Sequence, residues 1–283
     1  MPDLFRDGCW IRHGAVVRDS TIDRGTFVGF RAEIDHAKVG RGVQIAARAR
    51  LAGTGERPVR IGDGAWIGVG ASIAPGVRIG EHAIVGAGSE VEHHVPPHTV
   101  CYGRPAVVRG RVETRFDDGD GIEGVLAPVR RRGPRDTSRL SADEPADPEA
   151  FFDCAAALGA GVTIGPAAVM IGRPDGPSPE GGITVGDRSA LGGGLVAEGG
   201  GGLRIGVDAV LGAGVTITTS THDHHVPGRP WTAAPVDIAA GVTIGTGAVI
   251  VGPVRLGAGA SIAAGAVVTR SVAPGELSKG VFG

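Results

Sequence analysis

Three imidazoles, a carboxylate, a guanidinium and an indole fall within one short stretch of this chain, THDHHVPGRPW, which holds His222, Asp223, His224, His225, Arg229 and Trp231. Two kinds of chemistry suit such a set. Imidazole titrates near neutral pH, so a neutral histidine can take a proton from a hydroxyl or amine as that group attacks an electrophile. Three imidazoles can also hold a zinc ion. A second group, His93, His94 and His98, flanks Pro96 and Pro97 and reads as a surface turn. The three cysteines, Cys9, Cys101 and Cys154, are odd in number and widely spaced, with no CxxC pair, so neither a disulfide framework nor a cysteine zinc site is expected.

The elements that must carry these residues are set by a period of six. Aliphatic residues recur at Ile61, Ile67, Ile73, Ile79, Val85 and Val91, and again at Ile238, Ile244, Ile250, Leu256, Ile262 and Val268. Four positions after each comes a small or β-branched residue, such as Ala65, Ala71 and Val77 or Val242, Ala248 and Val254. Six fits neither the 3.6-residue helical period nor one long strand. It fits short strands separated by turns, each burying one aliphatic side chain. Three hexads make one triangular coil, so residues 18 apart, Ile61 with Ile79 and Ile67 with Val85, are expected to stack in the interior. A single coil cannot bury its own face, so the coils must stack into a solenoid.

Weaker phases extend each run backwards: Ile22, Val28, Ile34, then Val39, Ile45, Leu51 before the first, and Val185, Leu191, Ala197, then Ile205, Leu211, Ile217 before the second. Each half then has about four coils. The expected organisation is a first solenoid over 1–112, a charged Pro/Gly-rich linker over 113–155 with a short helix near Phe151 to Leu158, and a second solenoid over 156–283. The histidine stretch interrupts the second solenoid. From Ile217 to Ile238 is 21 residues where six would continue the repeat, so 218–237 is an inserted loop, and solenoid insertions often form the binding face.

Composition narrows the function classes. Glycine reaches 51 of 283 residues and aromatics only 4%, so the core is built from small aliphatics on a tightly turning backbone. A net charge of -2 supplies no basic field for nucleic acid or an anionic membrane. No apolar run approaches membrane-helix length, and the start MPDLFRDGCW lacks a basic-then-apolar pattern. A soluble cytoplasmic protein is expected, with alanine, glycine and arginine usage of a GC-rich bacterial kind.

The repeat resembles the bacterial hexapeptide-repeat acyltransferase superfamily, whose fold is the left-handed parallel β-helix. The likeness is closest to the branch of galactoside, maltose and antibiotic acetyltransferases, and it covers nearly all the chain outside the linker. In the first half, IGDGAWIGVGASIAPGVRIGEHAIVGAGSEVEHHVPPHTVCYGRPAVVRG is similar to the C-terminal coils that line the CoA groove in that branch. It includes an AWIG turn with Trp66 and a GNPA-like exit at Gly103, Arg104, Pro105 and Ala106. In the second half, TSTHDHHVPGRPWTAAPVDI resembles the branch's catalytic loop, and His222 falls on the catalytic histidine. The resemblance implies transfer of an acetyl or other short acyl group from acyl-CoA to a hydroxyl or amine of a sugar, amino sugar or antibiotic, with His222 as general base. Thr246, at a serine position of the sugar acetyltransferases, is the candidate for stabilising the oxyanion. Asp223, His224, His225, Arg229 and Trp231 are candidates for acceptor binding. Arg270, matching a basic position that meets CoA, and Trp66, Gly103 and Arg104 are candidates for CoA binding, with Arg109 beside them. No metal is expected.

Two departures matter. The first half offers only AGTGERPVR between Leu51 and Ile61, with no histidine, so catalysis is expected from the second half. There, Thr243 stands where the AWIG turn has its tryptophan. The same fold also serves γ-class carbonic anhydrases, which bind zinc through three histidines shared across a trimer interface, and subunits that act only in assembly. Both remain alternatives. The family's usual homotrimer, with sites between neighbouring solenoids, is the expected assembly.

Overall fold

The computed structural model describes residues 4–6, 8–112, 151–153, 156–172, 182–226 and 229–281. Among the described residues every regular element is a strand, most of two or three residues and the longest, Ala106–Arg111, of six. No helix is long and apolar enough to cross a membrane. The contacts divide the chain into two compact units: Met1–Gly133 with Asp223–Pro230, and Pro134–His222 with Trp231–Gly283. The charged segment at 113–150 lies outside the described residues.

Each unit is a parallel β-solenoid with three faces, and the hexads generate it directly. In the first unit the inward residues of one face are Ile11, Val28, Ile45, Ile67, Val85 and Cys101, paired rung to rung. The second face stacks Val17, Ile34, Leu51, Ile73 and Val91. The third stacks Ile22, Val39, Ile61 and Ile79. The expected stacks of Ile61 on Ile79 and Ile67 on Val85 are present. Alternation within each strand sends the next side chain outward, so one aliphatic residue per hexad reaches the core. Ile45, Leu51, Ile67 and Ile73 are fully buried there. Antiparallel pairs close both ends of this unit, Leu4–Arg6 with Cys9–Ile11 and Thr99–Gly103 with Ala106–Arg111, which occupies ladder groups that would otherwise template pairing with other chains.

The second unit repeats the plan. Its faces stack Met170, Ala197, Ile217, Ile250 and Val268; Leu158, Val185, Ile205, Ile238 and Leu256; and Ile164, Leu191, Leu211, Ile244 and Ile262. Five and six rungs per face exceed the four coils expected from the sequence. The short helix expected near Phe151 to Leu158 does not form. Phe151–Asp153 and Ala156–Leu158 are strands in register with Val169–Ile171 and Ile183–Val185. A short alternating apolar segment takes whichever period its neighbours offer, and here the neighbours offer an open parallel ladder edge.

Chain length is spent unevenly around the triangle. Between the Ile217 face and the Ile238 face the successive inward residues are Met170 to Val185, Ala197 to Ile205, Ile217 to Ile238, and Ile250 to Leu256. Six residues suffice for the last, while the other three are longer. One corner of the second unit therefore takes every insertion, and the histidine loop is the longest. The matching corner of the first unit, between Leu51 and Ile61, holds only a small turn in which Thr54 and Arg57 exchange main-chain hydrogen bonds at 3.1 Å.

Candidate active site

The loop leaves the second unit after Thr216–Thr218 and returns at Val236–Ile238, and its neck is tightly bonded. The Thr219 hydroxyl, wholly buried, donates to the Glu198 carbonyl at 2.8 Å and accepts from the Gly201 amide at 2.8 Å. Ala234 N–H closes the neck by donating to Thr219 O at 2.7 Å. On the next rung Gly252 N–H donates to Thr218 O at 3.0 Å. Two glycines are obligatory here. A Cβ on Gly201 would meet Thr219 O at 1.9 Å, and one on Gly252 would meet Ala234 O at 1.8 Å, so only hydrogen fits where the two chain crossings pack.

Above the neck the chain forms a two-stranded antiparallel ribbon, Ser220–His222 with Trp231–Ala233. His222 pairs directly with Trp231, which places the imidazole and indole side by side, about 5 Å apart at Cβ by strand geometry. Both are half-buried. The Trp231 ring edge lies against Gly200, where a Cβ would stand 3.7 Å away. A rigid apolar plate therefore flanks the candidate base.

The tip, Asp223–Pro230, groups with the first unit, and its residues serve mainly to shape and hold the loop. Asp223 accepts from the His225 amide at 2.9 Å through Oδ1, and its own amide donates to Pro230 O at 3.0 Å. This is the turn-forming use of aspartate. His224 meets the Trp66 ring edge-on, centroids 5.2 Å apart. Arg229 is 1% exposed, with Nη2 3.5 Å from His82 O. Burial pulls its pKa down to about 10, which still leaves a cation at neutral pH. The guanidinium expected to bind acceptor is thus buried in this structure. His225 is exposed.

Thr246 is not brought to His222 within its own unit. It precedes Val249–Val251, whereas the loop departs after Thr216–Thr218, and these strands lie side by side in register. The two residues thus stand at opposite ends of one face, because a hexad carries the chain from corner to corner. Arg270 fares differently. It follows Val268, which pairs with Ile250 and through it with Ile217, so its exposed side chain rises from the loop's corner, two rungs beyond the neck, roughly 10 Å at ladder spacing. At the same corner opens a shallow groove of about 510 Å³, lined in part by Gly202, Pro235, Thr184, Arg204 and Asp237.

In the first unit Gly103, with φ +118°, turns the closing hairpin, and Arg104 Nε donates to Gly88 O at 2.7 Å with Glu90 3.7 Å away. Arg109 lies over the Tyr102 ring at 5.5 Å. His93 and His94 are exposed as expected, but His98 stacks on the buried His82 at 5.2 Å. Among the described residues the group placed to share a cation is Asp19, Asp35 and His36, whose Nδ1 already meets Asp35 Oδ1 at 2.7 Å.

Two segments match family models: residues 58–93 match the bacterial transferase hexapeptide (six repeats), and residues 235–270 match the hexapeptide repeat of succinyl-transferase. The chain carries two segments similar to hexapeptide repeats. The hexapeptide repeats mark its solenoids as left-handed β-helices. The hexapeptide-repeat chain is 40% identical over 91 residues, 31% of its length, to the "Bifunctional protein GlmU" of Thermotoga petrophila, covering 20% of that protein. It is 36% identical over 106 residues to the Saccharomyces cerevisiae protein named "Putative acetyltransferase YJL218W", covering 36% of this chain and 52% of that one. Among solved structures it is similar to the acetyltransferase domain of PglB from Neisseria gonorrhoeae in complex with acetyl coenzyme A, with 29% identity, a TM-score of 0.34, and coverage of 36% and 49% of the two chains. The hexapeptide-repeat chain thus spans from a fifth to about half of these relatives.

Sequence reasoning passed over the neck. Glu198, Thr218, Thr219 and Gly201 carry it, and their signal was a break in the repeat. Ala197 to Ile205 is eight residues instead of six, filled by Glu198 and four glycines, opposite the hydroxyl run Thr218 to Thr221.

Proposed function

We propose that the second unit is the catalytic half of an acyltransferase that moves an acetyl or other short acyl group from acyl-CoA to a hydroxyl or amine of a small molecule. The observation that carries the reading is the ribbon, which holds His222 opposite Trp231 above a buried, hydrogen-bonded neck. Kinship with hexapeptide-repeat proteins, including one named as an acetyltransferase, supports acyl transfer as the reaction class. In this reading the neutral His222 imidazole takes the acceptor's proton while its oxygen or nitrogen attacks the thioester carbonyl. The tetrahedral adduct collapses, the C–S bond breaks, and the imidazolium returns the proton to the departing thiolate, so base and acid roles fall on one residue.

The indole of Trp231 suits an acceptor with a ring face, such as a sugar, an amino sugar or an antibiotic. Arg270, at the same corner, suits a phosphate of CoA. The first unit has no histidine in its turn between Leu51 and Ile61 and is read as a non-catalytic scaffold. A cytoplasmic homotrimer completes the proposal.

Calorimetry with acetyl-CoA on the wild type and His222→Ala, followed by thiol release with a panel of sugars and aminoglycosides, tests it. Binding in both proteins with turnover only in the wild type is the expected result. No binding to either would sink the reading.

A further inference from the structure

Glu198 is a carboxylate that neither the repeat nor the proposed transfer step uses. It ends the strand Val196–Glu198 and is half-buried on the outer side of the ladder, in register with Thr218. The column it belongs to reads Ile171, Glu198, Thr218, Val251. Beyond Ile171 the column continues to Asp153, and Glu198 and Thr218 are its polar pair at the two rungs where the loop departs. Glu198 Oε2 accepts from Thr218 Oγ1 at 2.8 Å, while its main-chain oxygen accepts from Thr219 Oγ1 at 2.8 Å. One residue thus holds both hydroxyls at the point where the chain turns out of the coil. No cation among the described residues pairs with Glu198, so an ion pair does not explain its presence.

The Thr218 hydroxyl has a single proton, and two acceptors face it: Glu198 Oε2 at 2.8 Å and Ser220 O at 3.2 Å. An ionised carboxylate is the stronger acceptor, so it fixes the hydroxyl's direction and seats the Ser220 carbonyl beside it. Ser220 is the first residue of the ribbon strand that ends in His222.

We propose that Glu198 is a positioning residue for His222: through Thr218 it sets the direction in which Ser220–His222 leaves the coil, and with it the place of the imidazole. The kinetic consequence rests on the acyl-transfer reading above. The structural consequence does not.

Glu198→Ala and Glu198→Gln in the full chain test this by steady-state thiol release and by hydrogen exchange of the Ser220–His222 amides. Glu198→Ala is expected to lower kcat roughly ten- to hundredfold, because small misplacements of a catalytic group cost that much, with KM for acetyl-CoA unchanged. Its ribbon amides should exchange faster while Val236–Ile238 stays as in the wild type. Glu198→Gln, whose amide oxygen still accepts the Thr218 proton, should restore most of kcat. Wild-type kcat in Glu198→Ala would overturn the proposal. So would a loss shared by kcat and KM, accompanied by faster exchange across the whole second unit and no rescue by glutamine, since Glu198 would then hold the coil and not the ribbon. Absence of thiol release by the wild type would reject acyl transfer itself, and exchange alone would decide: acceleration confined to the ribbon supports positioning, and unchanged exchange overturns it.

Discussion

Thr219→Val is the sharpest probe of the neck, because it removes one hydroxyl and almost no volume. Thr219 is wholly buried, and its Oγ1 both donates to Glu198 O and accepts from Gly201 N–H, each at 2.8 Å. In the valine variant the Gly201 amide keeps no acceptor and the Glu198 carbonyl loses a donor. Leaving buried groups unmatched costs about 1–3 kcal/mol each, the carbonyl less because it has two lone pairs. The extra buried methyl offsets about 0.8 kcal/mol. The net is a destabilisation of about 2–3 kcal/mol, or a Tm lower by about 5–10 °C for a unit of this size. Thr219→Ser is the control. It keeps the hydroxyl and loses one buried methyl, for about 1 kcal/mol. Urea and thermal unfolding followed by circular dichroism reads both. If Thr219→Val matches the wild type, or if serine costs more than valine, the hydroxyl is not doing what the geometry assigns to it.

Ile250→Ala, in the rung between Ile217 and Val268, should cost about 2–5 kcal/mol in urea unfolding and Ile250→Val about 1 kcal/mol, since a ladder rung cannot close over a cavity. For Arg229 the sign follows from its depressed pKa of about 10: the buried cation is disfavoured at pH 7, and that penalty is relieved only as pH rises through about 10 toward the higher unfolded value. Arg229→Met should therefore be as stable as the wild type or more so at pH 7 and Arg229→Ala less so, and a methionine variant several kcal/mol weaker in urea would refute this. Burial raises the Cys101 thiol to about 11, so the folded protein should resist alkylation there at pH 8, and mass spectrometry of iodoacetamide-treated protein should find Cys101 modified only after unfolding.

The core was legible in the sequence because a β-solenoid writes its contacts locally. Ile61 meets Ile79 and Ile67 meets Val85 by counting alone, since the rung spacing is the repeat length. Slips were legible too, such as the five-residue step from Ile34 to Val39. The functional corner was only half legible. The insertion and its histidines announced themselves, and the pairing of His222 with Trp231 follows from a hairpin closing symmetrically about the tip. Arg229 misled because an arginine in a polar loop reads as solvated, and only packing reveals that it is buried. For Thr246 the resemblance fixes position along the chain, and the fold adds that this position lies at the other end of the face from the loop of the same unit. Glu198 escaped because its partners lie one coil later, about 20 residues on, and no local pattern joins a glutamate to threonines at that distance.

A solenoid is a favourable support for one precisely held base because insertion costs it little. Lengthening the link between two faces from six to 21 residues raises the closure entropy by only about 1 kcal/mol, since the cost grows with the logarithm of length. The rungs on both sides are unaffected: Ile205 pairs with Ile238 and Ile217 with Ile250 as if the loop were absent. The closing bonds at the neck, Ala234 N–H to Thr219 O and Gly201 N–H to Thr219 Oγ1, are each worth about 1 kcal/mol and more than offset that entropy. What remains costly is direction, which bonds at the ribbon's exit help to fix. The neck residues with no role in the core, Glu198, Thr218 and Thr219, meet that need. Their bonds converge on the residues where Ser220–His222 leaves the coil, and they are therefore better explained by the orientation of His222 than by the stability of the coil.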